Sequence, residues 1–202
     1  MLSWGPPHFP LHTAPDIYRR RYADRAITLR PNVPPAFQEE AREKLRGYYA
    51  HIAALDDAFL TVRQAIRDAG IEDQTLFIFT SDHGDMLNSQ GLDTKLFPWD
   101  ESIRVPFLLR WPALPHLAGT TSPLPIDAPD ILPTLLGLCR LPIPTTVEGT
   151  DWSPQIRGEK PLTGDESAFL CMPSEFTELR RYGLPAYRGL RDARYTYVRS
   201  RQ

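Results

Sequence analysis

Cysteine is scarce in this chain. Cys139 and Cys171 are the two among 202 residues, and they form no CxxC or other metal-ligand spacing, so no disulfide framework or redox motif can be read. Long apolar runs are missing as well. No stretch approaches the length of a membrane-spanning helix, and the first residues carry no charged-then-apolar leader. Charge of one sign is also lacking: 23 Lys and Arg stand against 25 Asp and Glu, a formal net charge of −2. Composition thus gives no basic footprint for nucleic acid or an anionic membrane, and any steering of a polyanion must be local. Internal repeats and low-complexity tracts are absent. The 42% apolar and 24% charged content fits an ordinary globular chain of one large or two small domains.

Proline, by contrast, is abundant, with 21 residues. Prolines 6, 7, 10, 15, 31, 34 and 35 predict an irregular, partly extended opening segment, of the kind that loops over an active site. From Pro35 to Ala69 the pattern turns helical. Leu45, Tyr48, Ile52, Leu55, Phe59, Val62, Ile66 and Ala69 recur at steps of three and four, Glu40 and Lys44 make an i,i+4 pair, and Gly70 suits the position after the helix. His51 and the pair Asp56-Asp57 read as core or solvated residues of that helix, because adjacent helical carboxylates point about 100° apart.

The most informative segment is Thr75-Leu76-Phe77-Ile78-Phe79-Thr80-Ser81-Asp82-His83-Gly84-Asp85. An unbroken apolar run predicts a strand covered on both faces, as in the middle of a parallel sheet, and ligands bind at the carboxyl ends of such strands. There Asp82 offers a hard carboxylate donor and His83 an imidazole, with Gly84 permitting a tight turn; the pair reads as metal ligands, and an Asx-type turn is the alternative. Lys95 follows thirteen positions after Asp82, and Val105 to Leu109 reads as a second strand. Asp130 is placed to cap a helix through Leu138, and Tyr187 to Arg199 reads as two β segments turning at Asp192-Ala193.

Ser81-Asp82-His83-Gly84, the loop Gly91-Leu92-Asp93-Thr94-Lys95, and Glu101-Ser102-Ile103-Arg104-Val105-Pro106 running on to Trp111-Pro112 together resemble the type I sulfatases. Pro7-His8-Phe9-Pro10, Asp130-Ile131-Leu132-Pro133-Thr134-Leu135 and Glu148-Gly149-Thr150 extend the resemblance to nearly the whole chain. It implies the back half of an alkaline phosphatase-like α/β sandwich: a mixed, mostly parallel sheet over residues 1–150, then the start of a small antiparallel C-terminal sheet over 151–202. It further implies hydrolysis of sulfate monoesters, with Asp82 and His83 on a divalent cation and with Lys95 and His8 binding sulfate and serving the leaving group. Calcium is the implied metal and magnesium or manganese the alternative, although the imidazole of His83 suits softer ions better than the oxygen ligand of most members.

The family's paired Asp-Asp and its Cys-x-Pro-Ser-Arg motif, whose cysteine becomes the formylglycine nucleophile, are not in this sequence. Cys171-Met172-Pro173-Ser174-Glu175 imitates that motif but ends in glutamate and follows the metal strand instead of preceding it. The chain is therefore expected to be inactive by itself, as a truncation product or as a subunit that needs an amino-terminal complementary fragment. A phosphodiester or phosphonate monoester hydrolase of the same superfamily is the alternative. The expected partner is a sulfated small molecule or carbohydrate, with no nucleic acid and no membrane span. No leader is seen, although members of the family are often periplasmic or secreted.

Overall fold

The computed structural model describes residues 1–173, 183 and 186–200. The chain divides into two compact units, Met1–Lys95 with Arg104–Ala113, and Leu96–Ile103 with Leu114–Gln202.

In the first unit the proline-rich opening segment holds a helix that proline content alone does not suggest. Helix α1, Asp16–Tyr22, starts after Pro15 with Asp16 in its first turn and Arg19, Arg20 and Arg21 in its last, charges that suit the two ends of the helix dipole. It packs on α2, Gln38–Asp68, which is entered through a 3-10 turn at Pro35–Phe37 and is followed by Gly70 at φ +67°. The amino-terminal half of α2 is the better covered, with Ala41, Leu45, Ala50 and His51 buried. Farther along the same helix, Ile52 and Leu60 are exposed. His51 is thus a core residue, whereas Asp56 and Asp57 are exposed.

Strand β1, Phe77–Thr80, pairs antiparallel with β2, Phe107–Arg110, with Phe77 opposite Arg110 and Thr80 opposite Phe107. This pairing is antiparallel, where the unbroken apolar run by itself suggests a parallel neighbour. Among the described residues β2 is the one strand beside β1, and Phe77 to Phe79 are half-buried. Phe59 of α2 meets Phe77 and Phe79 edge-on, at 4.9 and 5.5 Å between ring centroids, and closes one side of a hollow of about 220 Å³. Strand β2 begins two residues later than the pattern suggested, because Pro106 has no N–H to donate to a ladder.

In the second unit α3 spans Ala128–Leu138 and is capped by Asp127, three residues before the expected Asp130. Asp130 instead takes the third helical position and returns a bond to the Asp127 amide, which completes a capping box. Pro133 has no N–H, so the Pro129 carbonyl is left without its helical donor. Gly149 lies against that carbonyl so closely that a Cβ would stand 2.0 Å from the oxygen. Strands β3 (Ala168–Met172), β4 (Tyr187–Arg191) and β5 (Thr196–Ser200) form an antiparallel sheet in that order. The expected turn is present: Asp192 donates its amide to Tyr195 O at 3.0 Å, and its carboxylate accepts from the Arg194 and Tyr195 amides. Cys171 is exposed on β3, and Ser174 and Glu175 lie outside the described residues. Among the described residues no helix is long and apolar enough to cross a membrane.

Candidate active site

The four residues singled out from the sequence all lie in the first unit. His8 and Lys95, 87 positions apart, meet with Nε2 and Nζ 3.1 Å apart. The Phe9 carbonyl lies 2.9 Å from His8 Nδ1 and takes a hydrogen bond from it. The neutral ring then has its lone pair at Nε2, turned to the Lys95 ammonium, which donates one N–H and keeps two for another acceptor.

The turn after β1 places Asp82 and His83 side by side, with Asp82 Oδ2 and His83 Nε2 3.5 Å apart. His83 Nδ1 donates to Gly84 O at 2.8 Å, so in the neutral ring Nε2 again holds a lone pair. Asp82 Oδ1 accepts the His83 amide, and the Ser81 hydroxyl donates to His83 O at 2.9 Å. An anionic oxygen and an imidazole lone pair facing each other repel unless a cation or a proton comes between them. The donor set therefore fits one face of a divalent cation. Asp82 is 83% exposed at its side chain, and among the described residues no three His, Cys, Asp or Glu side chains are grouped to hold a metal. The Asx-type turn occurs three residues after Asp82, where Asp85 Oδ1 accepts the Leu87 amide at 3.0 Å. Burial pushes the Asp85 carboxyl pKa up, against the Leu87 bond, with Asp93 adding to the rise.

The loop that carries Lys95 is strained. Leu87, Asn88, Gln90 and Thr94 have φ between +46° and +65°, and for a β-branched residue such as Thr94 this is a marked outlier. Such strain costs of order 1–3 kcal/mol per residue and persists only where the surroundings dictate the conformation. Here they do. Met86, Leu87, Asn88 and Ser89 are buried, and the Met86 amide donates to Thr94 O at 2.7 Å, which closes the loop between these two residues. Gln90 donates its amide to Asn32 O at 2.8 Å, and Arg30 reaches Ser89 Oγ at 3.3 Å. Lys44 of α2 binds Glu40 at 2.6 Å and Asp93 at 2.9 Å. The sequence shows only the helical half of that Lys44 pairing. Its second partner was invisible because nothing in the sequence sets the distance between α2 and residue 93.

Known proteins resemble this chain over nearly all of its length. A Sulfatase family profile matches residues 1–141. An ulvan-active sulfatase of Formosa agariphila is 39% identical over 99% of this chain and 39% of its own length. A structure from work on glycosaminoglycan metabolism by Bacteroides thetaiotaomicron superposes with a TM-score of 0.84 at 30% identity, over 100% of this chain and 44% of that one. The phosphonate monoester hydrolase of Agrobacterium radiobacter follows with a TM-score of 0.69 at 29% identity, over 80% of this chain and 34% of that one. The chain thus spans about two fifths of the length of the sulfatases it matches. Its fold is alkaline phosphatase-like α/β, with small antiparallel sheets among the described residues. By profile, sequence and fold, this chain belongs to the sulfatase family.

Proposed function

We propose that this chain supplies the metal-binding and leaving-group side of a sulfate monoester hydrolase acting on a sulfated carbohydrate. The observation that carries the reading is the Lys95–His8 contact at 3.1 Å, made by two residues far apart in sequence in the unit that also holds Asp82 and His83. The ulvan and glycosaminoglycan context of the relatives supports the carbohydrate.

Charge dictates the roles. Cleaving the S–O bond of a sulfate ester leaves negative charge on the departing oxygen, so donors must be aimed there. Lys95 holds a sulfate oxygen with the N–H groups that His8 does not engage. The proton required by the leaving oxygen is shared between Lys95 Nζ and His8 Nε2, and the pair is refilled from water. Asp82 and His83 would hold a divalent cation, calcium above all and magnesium or manganese next, which when bound polarises sulfate oxygens. The formylglycine nucleophile would come from residues outside these 202, on the amino-terminal side or on a complementary polypeptide, and the 202 residues by themselves are expected not to turn over.

The test is turnover of an aryl sulfate and an aryl phosphodiester by the purified chain, alone and coexpressed with a polypeptide bearing a matured Cys-x-Pro-Ser-Arg segment. We expect no turnover alone, and sulfate turnover in the complex at least about tenfold above the phosphodiester rate. A complex that prefers the phosphodiester would favour the phosphonate-hydrolase alternative, which the Agrobacterium likeness keeps specific. Sulfate turnover by the isolated chain would refute the need for a complement.

A further inference from the structure

Charge near α1 departs from that of the chain. From Asp16 to Arg30 five arginines stand against two aspartates, a local excess of three positive charges in a chain of net charge −2. The arrangement is ordered. Tyr18 and Tyr22 lie one helical turn apart and both are fastened to α2: Tyr18 OH donates to Asp57 Oδ2 at 2.8 Å, and the Tyr22 ring lies 5.8 Å from that of Tyr49. Each tyrosine supports the arginine three residues later. The Arg21 guanidinium sits 5.0 Å from the Tyr18 ring centroid, and that of Arg25 sits 5.4 Å from the Tyr22 centroid. Arg20, Arg21 and Arg25 are exposed.

A guanidinium lying over a ring has its face covered while its edge keeps N–H donors in a fixed fork suited to sulfate or carboxylate. Holding the fork in place before binding removes part of the ordering cost of capturing an anion. Asp57, 3.9 Å from Arg21, also holds the Tyr18 hydroxyl, so its charge is shared. Arg30, at the end of the same segment, bonds Ser89 in the loop that carries Lys95. The basic segment is thereby tied to the candidate site. A polymeric substrate with one ester at Lys95 that continued over the exposed surface of this unit would bring its neighbouring anionic groups to these cations.

We propose that the Tyr18-Arg21-Tyr22-Arg25 ladder, with Arg20, binds sulfate or carboxylate groups of a polysaccharide whose target ester lies at His8 and Lys95. The proposal rests on the sulfated-carbohydrate reading above, deepens it to a polymer, and can fail separately from it.

The test is binding of a size-fractionated chondroitin 4-sulfate decasaccharide to the 202-residue chain by calorimetry at several salt concentrations. We expect R21Q/R25Q to weaken binding about tenfold and to flatten the dependence of log K on log salt by one to two units. R21K/R25K, which keeps the charge and loses the fork, should recover only part of the affinity. It also serves as the second variant should the glutamine pair melt below the parent chain. Decasaccharide binding by R21Q/R25Q equal to that of the parent, or equal binding of an oligothymidylate of the same charge, would overturn the proposal. Inorganic sulfate supplies the separating arm. If Lys95→Met leaves sulfate binding unchanged while the arginine variants still lose the decasaccharide, the reading of Lys95 fails and the ladder stands.

Discussion

Replacing Lys95 by methionine in the complex that turns over an aryl sulfate is expected to lower kcat/KM by roughly 10²–10³-fold, the range found when one preorganised donor to a developing oxyanion is removed. Most of the loss should fall on kcat, because charge on the leaving oxygen grows only as the S–O bond breaks. The 3.1 Å contact with His8 makes a second, sharper demand. If the two residues hold one proton between them, His8→Ala should cost nearly as much as Lys95→Met, and the double variant little more than either alone. Full additivity in that cycle would show that the residues act independently. Lys95→Arg should not restore the rate, since a planar fork cannot reproduce a compact ammonium seated against an imidazole.

Asp130→Ala should lower unfolding stability by about 3 kcal/mol, read as a shift of the urea midpoint, because each buried donor left without its acceptor costs about 1–3 kcal/mol. Asp130 is 5% exposed and accepts from Thr150 N at 2.7 Å, Trp152 Nε1 at 2.8 Å and the Asp127 amide at 3.4 Å. Thr134 joins the same group, donating to Thr150 O and accepting the Trp152 amide. One carboxylate thus fastens the 149–152 turn to α3 and closes the capping box. Asp130→Asn, isosteric but with a weaker acceptor, should cost about half as much. An alanine variant as stable as the parent chain would mean that water replaces all three bonds.

Much of this was legible in the sequence where one local signal was enough. The run from Leu45 to Ala69 repeats at helical period for seven turns and ends at Gly70, so α2 was readable nearly to the residue. The turn at Asp192 was readable because the β-rich segments Tyr187–Arg191 and Thr196–Ser200 flank it. Helix α1 was hidden by its prolines, although Pro15-Asp16 followed by three arginines is itself a start-and-stop signature. The cap at Asp127 was missed because two aspartates three apart can each cap, and only the contact with the 149–152 turn assigns Asp130 inward. Pairing direction was not legible at all: an apolar run says that a strand is covered, not what covers it. In the candidate site, residue types at the end of an apolar run indicated Asp82 and His83, and the resemblance to the sulfatases added Lys95 and His8. The left-handed loop and its Lys44–Asp93 brace depend on packing between distant segments, which no local pattern encodes.

The claim on which the rest depends is that Asp82 and His83 together hold a divalent cation. Its most direct test is paramagnetic broadening of amide resonances as Mn²⁺ is titrated into the 202-residue chain, with Ca²⁺ as competitor, a readout that registers even weak sites. The account predicts that residues 81–85 broaden first, that calcium reverses the effect, and that Asp82→Asn abolishes it. Broadening that starts elsewhere, or that survives unchanged in Asp82→Asn, would contradict it.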